Sequence, residues 1–420
     1  MSKTYSLEEE QSLGVVRRLT YSIAPGVLLA GVAGGIAFPI LPIVGVKVGL
    51  PLWFIGVILA GNRATRVLSS PFVGILTDHI GGRRTLLLGL SIQLIVMALY
   101  WLGMVVSKPG LFFLVSRLLH GPGSACVFVG AQTLAMHAGG RAHGGKASSI
   151  VRASMSAGMP IGLAAGGLLA VTVGEERTFL LALAAIAAGL IASYLTVPDL
   201  KMKAKKRESW MSVWKLLADT RILSIGSLNF AMFFSAQGIV LTTIVLLVHS
   251  RGLHAGGLGD QGTAGLAMGL MVIISSMSMI TAGRLGDRYR THARIALSGI
   301  IITIPGLLIV GFGHSLAIIT SGVAVVGIGS GALGPSVLAL LADRIEPEQR
   351  GRGVGALQLC GDIGGVLGPI IGTTLVVYGA VTPYLCAAVV LMLVIPIAMR
   401  LVRFEQNSMP PAHRKGKLTK

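Results

Sequence analysis

Long apolar runs recur along the whole chain, and they decide which folds it can adopt. Each is about 18 to 28 residues long, which is enough for a helix to cross a hydrocarbon core about 30 Å thick. Twelve such runs occur, beginning near Leu19, Leu52, Thr85, Leu111, Ala147, Thr178, Arg221, Gln261, Ile295, Ser315, Gly353 and Val381. We therefore predict an all-α membrane protein with twelve transmembrane helices, arranged as two pseudo-symmetric six-helix bundles.

The composition agrees with a chain that lies in a bilayer. Hydrophobic residues make up 53% of it, charged residues only 12%, and 58 of the 420 residues are glycine, a residue enriched where membrane helices pack closely. The net charge of +19 could indicate nucleic-acid binding, but the basic residues are confined to particular loops without interleaved aromatic residues. We therefore predict no nucleic-acid partner.

Neither a metal site nor a cleaved leader is indicated by the sequence. Cys126, Cys360 and Cys386 all fall inside apolar runs, without CxxC or metal-ligand spacing. Residues 1–18 are polar and contain three consecutive glutamates, which is wrong for a secretory signal peptide. We predict a retained first span, no bound metal and no cofactor.

A short loop motif occurs twice, about half the chain apart, and indicates an internal duplication. The first copy, between spans 2 and 3, contains Gly74, Asp78, Gly81, Arg83 and Arg84, and the weaker second copy contains Gly283, Asp287 and Arg288. The predicted divisions are a cytoplasmic segment 1–18, a first bundle 19–197, a basic linker 198–220, a second bundle 221–403 and a tail 404–420. Lys and Arg collect in alternate loops, which predicts that both termini are cytoplasmic.

Two six-helix halves, a basic linker and the loop at 74–84 resemble the major facilitator superfamily of secondary transporters. Arg117, His120 and Gly123 in span 4 are similar to a further element of that family. The resemblance covers nearly the whole chain, although His79 stands where the family usually has Arg or Lys. It implies alternating access, in which two halves rock around a substrate site near the membrane midplane.

The same resemblance implies that the repeated loop is a conformational latch between the halves. An acid such as Asp78 at a helix end can accept backbone hydrogen bonds at the start of a facing helix, where the helix dipole favours an anion. The latch residues carried over are Gly74, Asp78, Gly81, Arg83, Arg84, Asp287 and Arg288. The second copy lacks a counterpart of Gly81, and the two arginines of the first copy could instead serve only to fix orientation.

Charged residues within the spans are costly in a bilayer and therefore point to function. The first half has Arg63, Arg66 and Arg117, while the second half supplies one acid, Asp362. Arg66 and Asp362 lie at similar depths, about 18 and 17 Å from the cytoplasmic helix ends at 1.5 Å per residue. Because spans 2 and 11 meet in the family fold, we predict a charge pair of Arg66, or Arg63, with Asp362. Protonation of Asp362 would break the pair; a permanent salt bridge is the alternative, and the surplus positive charge could serve an anionic substrate.

Uncharged polar and methionine residues within the spans are candidates for a substrate cavity. Methionine is flexible and polarizable, so a cavity that it lines tolerates varied apolar substrates, although some of these residues could simply pack against lipid. The candidates are Asn62, His120, Gln132, Met155, Met159, Asn229, Gln237, Met268, Met271 and Gln358. Proline with flanking glycine marks two predicted bending points, at Pro160 and Gly162 in span 5 and at Gly368 and Pro369 in span 11.

The sequence predicts a secondary active transporter rather than an enzyme. The segment 140–147 nearly spells a phosphate-binding loop, but Ala147 replaces the required Ser or Thr and no strand precedes it. We expect proton-coupled efflux of a small amphipathic or anionic organic solute by a monomer in a bacterial inner membrane, driven by the proton gradient. The alternatives are a proton-coupled importer of a metabolite or metal-related solute, and a transporter-like scaffold or receptor that no longer transports.

Overall fold

The structure is a computed structural model that describes residues 7–106, 108–199, 219–345 and 350–408. Regular structure within these residues is entirely helical, which confirms the predicted fold class. Residues 1–6, most of the predicted linker 198–220 and the predicted tail beyond 408 lie outside the described residues.

Twelve α-helices occur in the described residues. The helices before the linker are α1 (Leu7–Lys47), α2 (Leu52–Ile80), α3 (Gly82–Val105), α4 (Pro109–Thr172) and α5 (Glu175–Thr196). Those after it are α6 (Thr220–Met232), α7 (Leu241–Arg251), α8 (Gly259–Tyr289), α9 (His292–Phe312), α10 (Leu316–Ala342), α11 (Arg350–Leu375) and α12 (Thr382–Ser408). A π-helical segment (Phe233–Val240) joins α6 to α7, and a 3-10 turn (Val376–Tyr378) follows α11.

Eleven stretches of the described residues are long and apolar enough to cross a membrane. Two of them lie in α4, at Pro109–His137 and Ile150–Thr172, and α6, the π-helical segment and α7 together supply one, Ile222–Arg251. The remaining predicted span is α2, whose mean hydropathy is lowered by Asn62, Arg63 and Arg66. At 29 residues α2 is nevertheless long enough to cross a bilayer.

Helix α4 is 64 residues long and contains predicted spans 4 and 5 together with the connection expected between them. Its two parts pack on the same stretch of α1: a Cβ on Gly34 would lie 3.6 Å from His120 Nε2, and one on Gly158 would lie 2.9 Å from Gly31 Cα. The chain therefore reverses its direction between His120 and Gly158.

The chain divides into two compact units. Unit 1 comprises Met1–Glu208 and Thr242–Gly269, and unit 2 comprises Ser209–Leu241 and Leu270–Lys420. Nearly all of α7 and the first part of α8 thus group with α1 to α5, although in sequence they follow the linker. The bundle boundaries at 19–197 and 221–403 stay a prediction.

Aromatic residues hold α3, α4 and α5 together in the core of unit 1. Tyr100 of α3 stacks on Phe179 of α5 with ring centroids 4.9 Å apart, and Phe113 of α4 lies 5.5 Å from Tyr100 and 6.0 Å from Phe179. All three rings are fully buried. Farther along, a Cβ on Gly89 would lie 2.5 Å from Val127 N, so α3 and α4 are in backbone contact. This packing fixes the position of residues 113–127 of α4.

In unit 2, α11 packs directly against the π-helical segment. A Cβ on Gly238 would lie 2.7 Å from Gly368 Cα, so the two backbones are in contact. Single π-helical turns are rare and often occur at functional sites. Gly368 and the buried Pro369, the predicted bending point of span 11, therefore lie beside an irregular stretch of helix.

Candidate functional site

The backbones of α2 and α4 touch within unit 1, and their contact brings several predicted charged residues together. A Cβ on Gly121 would lie 2.6 Å from Arg66 N, which is closer than real Cβ atoms approach a neighbour. A Cβ on Gly61 would lie 3.4 Å from Arg117 Cβ. Arg66, Arg117 and the adjoining His120 thus occupy one layer of unit 1.

Arg117 is fully buried in this layer. Its guanidinium carbon lies 4.8 Å from the centre of the Phe38 ring on α1, a cation–π arrangement. None of its three side-chain nitrogens has a hydrogen-bond partner among the described residues. Arginine keeps its proton in proteins, so Arg117 is a buried positive charge without a hydrogen-bonded counter-charge in that part of the chain.

His120 follows Arg117 by one helical turn and faces α1 near Gly34. It is 4% exposed, and its Nδ1 has no hydrogen-bond partner in the described ranges. The positive charges of Arg117 and Arg66 both act on the imidazole. The layer therefore combines two cations with a buried ring nitrogen.

Two further buried polar groups belong to this region and were missed by the sequence analysis. The hydroxyls of Ser116 and Tyr100 are buried without a hydrogen-bond partner among the residues that the structure describes. Ser116 lies one turn before His120, a spacing on α4 that could have drawn attention to it. Tyr100 gave no such signal, because a tyrosine beside Trp101 is typical of a membrane interface.

The predicted charge pair involves residues of both units. Arg63 and Arg66 are half-buried on α2 in unit 1, and Asp362 is 4% exposed on α11 in unit 2. Pairing of Arg66, or Arg63, with Asp362 stays a prediction. Asp362 is nevertheless buried, as expected of an intramembrane acid with a function.

The predicted cavity residues differ in burial, and the side chain of one of them donates a hydrogen bond to a neighbouring helix. The buried ones are Gln132, Met268 and Met271, the half-buried ones are Asn62, Met155, Met159 and Gln237, and Gln358 is exposed. Asn229 is also buried, and its Nδ2 donates to Leu357 O at 2.8 Å. Asn229 therefore ties α6 to α11, and its amide nitrogen is already used.

The predicted bending point in span 5 lies where α4 contacts two other helices. A Cβ on Gly162 would lie 2.9 Å from Val32 Cα on α1. A Cβ on Gly269 of α8 would lie 3.2 Å from Pro160 O. The bending point around this proline, which cannot donate a helical hydrogen bond, thus contacts both α1 and α8.

The first copy of the repeated loop forms a tight turn between α2 and α3. Gly81 has φ +86° and donates its N–H to Thr77 O at 2.9 Å, while Gly74 faces open space. Arg83 donates from Nη2 to Tyr194 O at 2.7 Å, and its guanidinium carbon lies 5.4 Å from the centre of the Tyr194 ring. Arg83 therefore binds the carbonyl end of α5, where the helix dipole favours a cation.

The second copy keeps a similar turn between α8 and α9 without a glycine. Arg290 has φ +46° there, and its φ is therefore positive, as that of Gly81 is. Asp287 Oδ1 lies 3.5 Å from His292 Nε2. The exposed members of the predicted latch are Asp78, Arg84, Asp287 and Arg288. Each copy therefore contains one residue with a positive φ, a glycine in the first and an arginine in the second.

A different acid in unit 2 makes the kind of contact that we expected of Asp78. Glu405, near the end of α12, accepts the backbone N–H of Ala293 at the start of α9, with distances of 3.2 Å to Oε1 and 3.3 Å to Oε2. His292 and Arg344 lie close enough to act on its charge. Glu405 falls in the segment 404–420 that the sequence predicts as a polar tail, whereas α12 continues to Ser408.

Unit 1 also contains a polar cluster at the opposite ends of its helices. Glu175, at the start of α5, accepts hydrogen bonds from Lys47 Nζ at 2.6 Å and from Gln261 Nε2 at 3.1 Å. The adjacent Asp260 lies with Oδ2 2.6 Å from His249 Nδ1. These contacts join the ends of α1, α5, α7 and α8, and no sequence pattern had indicated them.

The described residues contain no group of three or more His, Cys, Asp or Glu side chains able to hold a metal ion. Cys126 and Cys360 are buried and Cys386 is half-buried, and all three are free thiols.

The twelve described helices, with charged side chains buried among them, define a polytopic membrane protein of the transporter class. The chain belongs to the Major Facilitator Superfamily, whose sequence pattern it matches over residues 23–259 and 253–419. The predicted family is therefore confirmed.

Similar proteins include named drug-resistance proteins. A multi-drug resistance efflux pump PmrA homolog from Lactococcus lactis is 28% identical over 371 residues, which cover 84% of this chain and 87% of that protein. Multidrug resistance protein MdtH from Shigella boydii is 30% identical over 132 residues, covering 30% of this chain and 33% of that protein. Among solved structures, a bacterial homologue of the human lysosomal transporter Spinster has a TM-score of 0.74 at 15% identity, covers 98% of this chain and 100% of its own, and supports the fold alone.

Proposed function

We propose that the chain is a proton-coupled exporter of small amphipathic or anionic organic molecules that works by alternating access. It lies in a bacterial inner membrane with both termini in the cytoplasm and acts as a monomer. Its partners are the bilayer, the transported molecule and protons. The proton gradient drives transport, without a bound cofactor, metal or nucleic acid.

The observation that carries this proposal is the burial of Asp362. This acid is 4% exposed on α11, whereas residues 11–174 contain several arginines within spans and a single acid, Asp78. A buried carboxylate is costly unless it is paired or protonated. Pairing with Arg66 in one state and protonation in the other would couple proton movement to the conformational cycle.

The names of similar proteins favour export over import. The Lactococcus lactis protein, matched over most of both chains, is named as an efflux pump, and the Shigella boydii protein is named for multidrug resistance. Half-buried Met155 and Met159 suit variable apolar substrates, because the thioether side chain adapts its shape.

Transport by proteoliposomes under an imposed pH gradient tests the proposal. The wild-type protein should accumulate an amphipathic dye against its concentration gradient, and a panel of one cationic and one anionic dye separates the two substrate types. Asp362→Asn keeps the size of the side chain but cannot gain or lose the proton. It should therefore lose pH-driven accumulation and keep downhill exchange of the dye.

Asp219→Asn is the matched control, because it removes an exposed acid from unit 2 that belongs to neither the charge pair nor the latch. It should leave pH-driven accumulation unchanged. Accumulation that is equally dependent on the pH gradient in Asp362→Asn contradicts coupling through this residue. Dye movement only toward the cytoplasmic side identifies an importer, and a folded protein that moves no compound of the panel supports the scaffold.

A further inference from the structure

The buried guanidinium of Arg117 lacks the counter-charge that a buried cation requires. The side chain has no exposed surface, and its nitrogens have no hydrogen-bond partner within residues 7–106, 108–199, 219–345 and 350–408. A buried charge without a partner is strongly destabilising, which is why such groups are almost always paired. A partner from outside the described residues is therefore needed.

The acids of α1 and α2, the helices that contact Arg117 through Phe38 and Gly61, all lie far along those helices from it. Asp78 is the single acid in residues 11–174. It lies on α2 beyond Gly61, which packs against Arg117, and the separation is roughly 26 Å along the helix. At the starts of α5 and α8, Glu175 and Asp260 already have basic partners, and Glu176 is exposed, whereas Arg117 is fully buried.

The groups that surround Arg117 provide an aromatic face and further polar atoms, but no negative charge. Phe38 lies over the guanidinium with its ring centre at 4.8 Å, a position that leaves the in-plane N–H groups available. On α4, Ser116 and His120 stand one turn apart beside Arg117, and Ser116 Oγ and His120 Nδ1 have no partner among the described residues. An acceptor in the plane of the guanidinium would form charge-assisted hydrogen bonds with Arg117 and could also accept from the Ser116 hydroxyl.

We propose that Arg117, assisted by Ser116 and His120, binds a small monovalent anion in unit 1, either a carboxylate or a halide. A carboxylate would belong to the transported molecule, whereas a halide would be chloride from solution. Because Arg117 has no exposed surface, the anion enters when the helices around it move apart, as a transport cycle requires. Binding uses this cluster alone and does not depend on proton coupling through Asp362.

Thermal unfolding of the purified full-length protein in detergent tests this site without any transport step. The midpoint is measured at equal ionic strength in sodium HEPES, whose sulfonate is bulky, and in sodium chloride and sodium acetate. An anion present at about 100 times its dissociation constant should raise the midpoint of a chain of this length by about 3 °C. Stabilisation by chloride alone identifies a halide site, and stabilisation by acetate alone identifies a carboxylate site. Stabilisation by both supports a site for either anion.

Arg117→Gln should abolish the shift. In HEPES it should be at least as stable as the wild type, because it no longer buries an unpaired charge. Arg152→Gln is the matched control: Arg152 is an exposed arginine of the same helix and also lies over a ring, 5.5 Å from the centre of Phe128. It should keep the full shift. Arg117→Lys provides a second variant, which retains the charge and should retain part of the shift.

The proposal is overturned if neither anion raises the wild-type midpoint above its value in HEPES, or if Arg117→Gln keeps the full shift. If Arg117→Gln does not fold, an Arg117→Lys response identical to that of the wild type in size and anion preference likewise overturns it. Loss of pH-driven transport in Asp362→Asn leaves this readout unchanged, so the anion site and the coupling proposal fail separately.

Discussion

Arg290, in the turn between α8 and α9, has a positive φ, as Gly81 has in the turn between α2 and α3. The φ angles are +46° and +86°. Glycine enters this region at no steric cost, whereas an L side chain there costs about 1–2 kcal/mol. The duplicated turns have thus kept a positive φ, although only one of them kept the residue best suited to it.

Replacing Arg290 by glycine should therefore stabilise unit 2. We expect Arg290→Gly to raise the free energy of unfolding by about 0.5–1 kcal/mol, since the steric cost is removed and part of the gain is lost to backbone entropy. The unfolding midpoint in detergent measures it. Gly81→Ala is the reverse experiment and should destabilise by about 1 kcal/mol or more. A less stable Arg290→Gly variant would contradict the strain argument.

Arg83 and Arg84 should differ in their effect on stability although they are neighbours in one loop. Arg83→Gln removes the hydrogen bond to Tyr194 O and should cost about 1 kcal/mol, a value reduced because the side chain is only half-buried. Arg84→Gln alters an exposed side chain and should stay within about 0.5 kcal/mol of the wild type. Each variant removes one positive charge from the same loop, so their influence on membrane orientation is matched. Equal unfolding midpoints would show that the Tyr194 contact contributes nothing.

Glu405 should stabilise the start of α9 through both its charge and its hydrogen bond to Ala293. Glu405→Gln keeps an acceptor and should cost about 0.5 kcal/mol, whereas Glu405→Ala should cost about 1 kcal/mol. Hydrogen exchange at the first amides of α9 reports the local effect, which should be larger than that on α10. Unchanged exchange at Ala293 in Glu405→Ala would rule out the capping role.

The contact of α2 with α4 should be intolerant of any side chain at Gly121. Gly121→Ala places a Cβ 2.6 Å from Arg66 N, so the helices must separate, and we expect a loss of about 2 kcal/mol or more. Gly74→Ala is the matched control on α2, because nothing lies within 4 Å of its added Cβ. It should be neutral or stabilising by about 0.5–1 kcal/mol. The yield of folded protein and its unfolding midpoint compare the two variants.

The spans could be predicted from the sequence because about 20 apolar residues are needed to cross a bilayer and few soluble segments imitate that pattern. The repeated loop indicated the correct family because its glycine and charged residues lie at fixed offsets from the helix ends. The connection inside α4 could not be predicted from the same information, since a glycine-rich stretch without proline is compatible with a loop or with a helix.

Contacts between helices were harder to predict than the helices themselves. The sequence already showed that Arg117 has few acids available, but its position against Phe38 depends on how α1 and α4 are rotated. Arg83 binds a backbone carbonyl, and any residue type supplies one. Glu405 lies past the last apolar residue, where a helix that continues and a tail that begins have the same composition.

Unit 1 includes the start of α8, although α8 belongs to the second half of the duplicated sequence. A Cβ on Gly167 of α4 would lie 2.9 Å from Gln261 C, and one on Gly265 would lie 3.1 Å from Gly167 Cα, so the two helices leave no room for side chains. A fragment that stops in the linker would contain α1 to α5 and leave this face of α4 bare. The first half of the duplication therefore encodes only part of unit 1, and two separately made halves would have to restore this helix contact to complete that unit.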